Sequence, residues 1–171
     1  ILIIHLLKMQ HYDSLDPFLI IKKADKVKEK EGQPDGRHSN LQKGSFILGT
    51  IHRDNNTDIP ERINSIFEAL NEIATENEID IVLPLHPRTS KILKQNLDSE
   101  LYNSISKNRF IKIIPPASFF EIIALEKNCK MVMTDSGGVQ KEAYYFEKPV
   151  IILRPETEWV EIVENGVGKI T

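Results

Sequence analysis

The stretch from Lys130 to Pro149, KMVMTDSGGVQKEAYYFEKP, constrains the fold more than any other. Met131, Val132 and Met133 form a short apolar run that reads as a strand, the chain turns at Asp135-Ser136-Gly137-Gly138, and Val139 to Phe146 reads as a helix. Val150 to Leu153 follows as a second strand. A strand, glycine turn and helix in this order build an anion site, because the first helical N–H groups have no partner inside the helix and the dipole places partial positive charge there. Gly137 and Gly138 lack Cβ atoms and let a phosphate approach the backbone, while Ser136 either caps the helix or donates its hydroxyl to a ligand. Glu142 lies about 9 Å further along the axis at a rise of about 1.5 Å per residue, the separation of a nucleotide's phosphates from its ribose, where a carboxylate accepts both hydroxyls. The same pattern also serves packing alone in other α/β proteins, with Glu142 then a solvated helix residue. Neither G-x-G-x-x-G nor G-x-x-x-x-G-K-[ST] is present, which excludes the dinucleotide fingerprint and the Walker loop.

From Ser45 onward strands and helices alternate, the pattern of a parallel sheet covered on both faces. Ser45–Ile51 reads as the first strand, with His52–Asp58 as its loop. Pro60–Glu76 reads as an amphipathic helix through Ile63, Ile66, Phe67, Leu70 and Ile73, and Pro60 suits its first turn. Ile79–Leu85 is a second strand, Ser90–Asn96 a helix that extends toward Leu101, and Phe110–Ile114 a third strand. Ser118 with Glu121 makes a capping box for a helix over Phe119–Lys127. Glu158–Glu164 reads as a last helix, closed by Asn165-Gly166, and Val167–Thr171 as the start of a sixth strand. The expected fold is a Rossmann-like α/β three-layer sandwich.

Ligands of such sheets bind beyond the carboxyl ends of the strands. His52, Arg53, His86, Arg88, the Pro115–Phe119 turn, Ser136, Gly137, Gly138 and Arg154 all follow strands, so they are expected on one rim, where they suit a doubly charged anion. The net charge of −3 argues against a general nucleic-acid or anionic-membrane binder, so anion affinity is local. Cys129, the only cysteine, has no intrachain disulfide partner and reads as a small core residue of a reducing compartment, the cytoplasm.

The first residues, ILIIHLLKMQ, are too few to span a bilayer, lack the basic start of a secretory signal and lack an initiator Met, so a fragment of a longer chain is expected. Residues 1–43 read as a partly disordered inter-lobe segment: Ile1–Leu7 a strand or buried linker, Asp25–Glu31 a charged helix face or solvated tail, Gly32–Asn40 a loop. His5, His11 and His38 are scattered without ligand spacing, and no metal site is expected.

Three separated segments carry a resemblance: Thr50-Ile51-His52-Arg53-Asp54-Asn55-Asn56-Thr57, Pro84-Leu85-His86-Pro87-Arg88-Thr89, and Thr134 to Ala143 with Lys148-Pro149-Val150 and Arg154-Pro155-Glu156-Thr157-Glu158-Trp159. In this order and spacing they resemble the non-hydrolysing UDP-N-acetylglucosamine 2-epimerases, from about Phe46 to Thr171. The resemblance implies the C-terminal, UDP-binding lobe (residues 44–171) of a two-lobe enzyme of the glycosyltransferase-B arrangement, with the N-terminal lobe absent here. It implies His52 near the nucleotide phosphates as the catalytic group of this lobe, and Arg53, His86 and Arg88 at the inter-lobe cleft, where bacterial members bind an activating second substrate molecule. Ser136, Gly137, Gly138 and Glu142 would hold diphosphate and ribose, and Arg154 belongs to the same substrate site. Ala117, Phe119 and Ile122 would lie along the uracil, although family members often carry an aromatic near Ile122. Glu158 either accepts a sugar hydroxyl or caps its own helix, and Trp159 stands where arginine is frequent.

The implied reaction interconverts UDP-N-acetylglucosamine and UDP-N-acetylmannosamine by eliminating and re-adding UDP, for polysaccharide synthesis, with no redox cofactor and proton-moving carboxylates in the other lobe. Homodimers are common in the family. The chain alone is expected to bind UDP weakly and to be inactive. Two other readings stay open: a sugar-nucleotide glycosyltransferase or hydrolysing 2-epimerase lobe, and a non-catalytic flavodoxin-like binding module.

Overall fold

The structure is a computed structural model and describes residues 42–171. The expectations for the N-terminal strand, charged helix and loop, and for His5, His11 and His38, lie outside the described residues.

Six strands form one parallel sheet: β1 Phe46–Thr50, β2 Asp80–Pro84, β3 Ile111–Ile114, β4 Met131–Thr134, β5 Val150–Ile152 and β6 Gly168–Ile170. Their spatial order is β3-β2-β1-β4-β5-β6. The chain winds outward from β1 to β3, then returns to the other side of β1 and winds outward again, the doubly wound Rossmann order. Register is continuous across the turning point, with Leu48 beside Val82 on one side and Val132 on the other. Parallel strands buried on both faces need apolar side chains at every position, and all five residues of β1 are buried.

Successive strand residues enter opposite layers. Phe46, Leu48, Val82, Val132, Val150 and Ile152 pack with helices α5 (Phe119–Asn128), α6 (Gly137–Tyr145) and α7 (Val160–Glu164) through Ala124, Leu125, Ala143 and Ile162. Ile47, Ile81, Leu83, Ile111 and Met133 face the other way, against α2 (Pro60–Glu76), α3 (Pro87–Asn96) and α4 (Ser99–Lys107). Helix α2 supplies Ile63, Phe67, Leu70 and Ala74, spaced so that one stripe meets the sheet. Each large side chain so buried contributes about 1.5–3 kcal/mol. Gly49 marks a tight point of that layer: a Cβ there would stand 2.4 Å from Leu83 Cδ2, so any larger residue forces the Leu83 side chain aside.

Three boundaries differ from expectation. The loop after β1 contains a turn of helix, α1 (Asp54–Thr57), ordered from outside its own segment as described below. The helix expected to run from Ser90 toward Leu101 is two helices, α3 from Pro87 and α4 from Ser99, broken at Leu97-Asp98 because the Asp98 carboxylate caps α4 by accepting from Glu100 N at 2.8 Å. The last helix starts at Val160, not Glu158. The Ser118–Glu121 capping box is present in both directions, and Gly166 closes α7 at a φ of 71°. Among the described residues no helix is long and apolar enough to cross a membrane.

Candidate functional site

Because all six strands are parallel, every segment following a strand emerges on one rim. The centre of that rim is the gap between β1 and β4, where the two halves of the winding part.

Asp135, fully buried at the end of β4, controls this point. Its carboxylate accepts from His52 N with both oxygens at 3.1 Å, from Arg53 N at 3.0 Å and from Asn56 Nδ2 at 3.0 Å. Asn56 also donates to Leu153 O at 2.9 Å, joining the β5 end to the same knot. Arg53 occupies the N-cap of α1 without contributing a side-chain cap; the Asp135 carboxylate instead holds the backbone leading into the helix and the Asn56 side chain within it. Beneath it, Thr50 and Thr134 share a 2.6 Å hydroxyl hydrogen bond, and Thr134 Oγ1 accepts from Ser136 N at 2.9 Å. The exposed side chains of His52 and Arg53 therefore stand on a backbone pinned to the glycine turn.

Ser136 is the N-cap of α6, its hydroxyl accepting from Val139 N at 3.5 Å. Neither Gly137 nor Gly138 has a positive φ, so the turn does not need glycine for its backbone angles. At Gly137 the reason for glycine is room. A Cβ on Gly137 would lie 3.3 Å from Glu158 Oε2 and 3.6 Å from Trp159 Nε1, whereas one on Gly138 would meet only its neighbour's hydroxyl at 3.8 Å. Glu158 and Trp159 thus fold over one side of the turn and leave the other open. Trp159 Nε1 donates to Gly137 O at 2.8 Å, and Lys141 Nζ sits 4.4 Å from its ring. Thr157 completes the join, donating its hydroxyl to the buried Gln140 Oε1 at 2.6 Å and accepting from Trp159 N at 3.1 Å.

Arg154, buried at the end of β5, forms a two-pronged pair with Glu158, at 2.8 and 2.9 Å, and Arg53 reaches the same carboxylate at 3.4 Å. The Arg154 hydrogen bonds, with help from the Glu158 backbone and from Arg53, pull the Glu158 carboxyl down to about 2. Glu158 therefore does not cap its own helix; it holds two arginines. Beside this pair lies an open cleft lined by Arg53, Arg62, Arg154, Asn55, Asn56 and Glu156.

Glu142 is not the solvated helix residue of the packing-only reading. It is 9% exposed and turns toward Glu126 of α5, which is fully buried. Ala117 is half-buried in the turn before α5, Phe119 is exposed, and Ile122 is half-buried on the helix. His86 caps α3, its Nδ1 accepting from Arg88 N at 3.3 Å. Arg88 is already paired, with Asp54 at 2.7 Å and Asp58 at 2.9 Å, and so ties α1 to α3. Those hydrogen bonds and charges raise its already high pKa.

The rim brings together His52, Arg53, Ser136, Gly137, Gly138, Arg154, Glu158 and Trp159. Sequence reasoning passed over Asp135, Asn56 and Glu126, all buried polar residues whose partners lie on other elements.

Residues 12–171 match the family model described as UDP-N-acetylglucosamine 2-epimerase. The chain is 43% identical over 127 residues to the UDP-N-acetylglucosamine 2-epimerase homolog of Methanococcus maripaludis, covering 74% of this chain and 34% of that one. It is 46% identical over 123 residues to the UDP-2,3-diacetamido-2,3-dideoxy-D-glucuronate 2-epimerase of Pseudomonas aeruginosa, covering 72% and 32%. Among solved structures it is similar to the Methanocaldococcus jannaschii UDP-GlcNAc 2-epimerase in complex with UDP-GlcNAc and UDP, with a TM-score of 0.70, 35% identity, and coverage of 91% of this chain and 42% of that one. The chain spans about a third of the length of the curated relatives it matches.

Proposed function

The chain belongs to the UDP-N-acetylglucosamine 2-epimerase family, and we propose that it is the nucleotide-binding lobe of an enzyme that interconverts UDP-N-acetylglucosamine and UDP-N-acetylmannosamine. Residues 44–171 form that lobe and residues 1–43 lead to a partner lobe, which the one-third coverage of the relatives supports. The observation that carries the reading is the glycine turn with its open side, set between the Asp135-pinned His52 loop and the Arg154–Glu158 pair.

On this reading the diphosphate lies on the N-terminus of α6 against Ser136, Gly137 and Gly138, and Glu142 accepts the ribose hydroxyls. Uracil lies along Ala117, Phe119 and Ile122. The reaction is redox-neutral. A base in the partner lobe removes the C2 proton while the C1–O bond breaks and UDP leaves with the bonding pair; UDP then returns to C1 as a proton reaches the other face of C2. His52 donates a hydrogen bond or a proton to the departing phosphate oxygen, and Arg154, held by Glu158, stays oriented beside it. Arg53 and His86 face the inter-lobe cleft. Arg88 contributes by fixing the α1–α3 corner. The unpaired, buried Cys129 suits a reducing compartment, the cytoplasm, and the full-length enzyme is a homodimer.

Calorimetric or NMR titration of the chain with UDP tests the lobe assignment. Saturable binding with a Kd on the order of 1 mM is expected, with none for AMP and at least a tenfold loss in Glu142→Ala. A folded chain that binds neither nucleotide, or both alike, overturns the assignment. The arginine-lined cleft favours a second reading of the sugar, a uronate whose C6 carboxylate Arg53 or Arg62 would meet. Tenfold tighter binding of the diacetamido-uronate nucleotide than of UDP-N-acetylglucosamine would establish that reading, and the reverse order would remove it.

A further inference from the structure

Below the rim, α5 and α6 bring two glutamates together. Glu126 is completely buried and Glu142 nearly so. Among the described residues, neither oxygen of Glu126 meets an N–H or hydroxyl donor; the group that faces it is the Glu142 carboxyl. Two ionised carboxylates can only repel each other there, so the contact becomes a hydrogen bond when one keeps its proton. Burial first, and then the charge of Glu142, push Glu126 up to about 10, and burial also raises Glu142. The other groups nearby do not compensate. Cys129, whose Sγ–H donates to Glu126 O at 3.1 Å, is itself pushed up to about 12 by burial, and Lys148 acts on that thiol.

We propose that Glu126 is a positioning residue for the nucleotide: it stays protonated and donates to the Glu142 carboxylate, fixing that side chain so that its remaining lone pairs accept from the ribose hydroxyls. The inference rests on the lobe assignment above. It gives a reason for a buried acid where a leucine would pack better: a free carboxylate at the foot of α6 has several rotamers, and a donor from α5 selects one. The slight exposure left to Glu142 is the opening through which ribose reaches it.

The test compares wild type, Glu126→Gln and Glu126→Leu, each titrated with UDP and with 2′-deoxy-UDP, while ¹³C NMR of the glutamate carboxyls follows protonation without ligand. Gln retains a donor toward Glu142 and leucine does not. UDP affinity within about threefold of wild type in the Gln variant, a tenfold or greater loss in the Leu variant, and a smaller loss for 2′-deoxy-UDP than for UDP are expected, a tenfold change corresponding to about 1.4 kcal/mol. A protonated carboxyl signal at neutral pH should be present in wild type and absent from the Gln variant, whose amide still donates to Glu142. Equal UDP affinity in folded Gln and Leu variants, or no protonated glutamate in wild type, overturns the proposal while leaving the lobe assignment standing. Failure of wild type to bind UDP removes both, and the carboxyl signal then reports on the pair alone.

Discussion

Acidic side chains are used in two opposite ways on either side of β1. Toward β2, Asp54 and Asp58 stand in water and share Arg88, with side chains that are all about half exposed or more. Toward β4, Asp135, Glu126 and Glu142 are buried; Asp135 is satisfied by backbone and amide N–H groups and the two glutamates by a proton. The outer cluster has short distances, yet solvent screens it and two side chains must be ordered to keep it. The inner groups have no water to fall back on, so each lost partner leaves a polar atom stranded. Short distances on the surface and buried donors below are therefore not comparable measures of importance.

The largest effect is expected at Asp135. Replacing it by alanine strands His52 N, Arg53 N and Asn56 Nδ2 and should destabilise the chain by on the order of 3 kcal/mol in urea unfolding. A loss below about 1 kcal/mol would mean that water replaces the carboxylate and that the inner side is no different from the outer.

Glu126 gives the next effect, and it has a sign. Burial holds this proton in the folded chain well above the range where the unfolded chain releases it, so stability falls as pH rises above the ordinary carboxylate range. Glutamine does not titrate. Wild type and Glu126→Gln should match near about pH 5, with the variant increasingly the more stable toward about pH 8. Parallel thermal midpoints across that range would break the contrast. The smallest effect belongs to Arg88→Ala, which should leave the urea midpoint essentially unmoved, any residual difference vanishing in high salt. A clear, salt-insensitive loss would place Arg88 with the inner group.

The sequence made the scaffold legible where the signal was local. The stripe of α2, the Ser118–Glu121 box, the Asn165-Gly166 stop and the Ser136 cap each lie within one segment, and each stands where the pattern puts it. The Leu97-Asp98 break was readable too: an aspartate followed by Ser99-Glu100, with Leu101 and Ile105 four apart, is a helix start. Asp135 was hidden because Thr-Asp-Ser-Gly-Gly reads as turn chemistry, while its donors come from 79, 82 and 83 residues earlier. Glu126, followed by Lys127-Asn128, looks solvated until α6 packs against it. Glu158 was ambiguous for the same reason, since its arginines lie on two different strand ends.

The knot around Asp135 also bears on exchanging parts between relatives. A chimaera that takes the first strand and its loop from one protein and the fourth strand and its turn from another inherits a lock and a key of separate origin, although the two pieces share no stretch of chain. Segment swaps that respect every visible boundary must still bring an aspartate in one piece against an asparagine and a matching loop in the other, so recombination here has a unit larger than any motif.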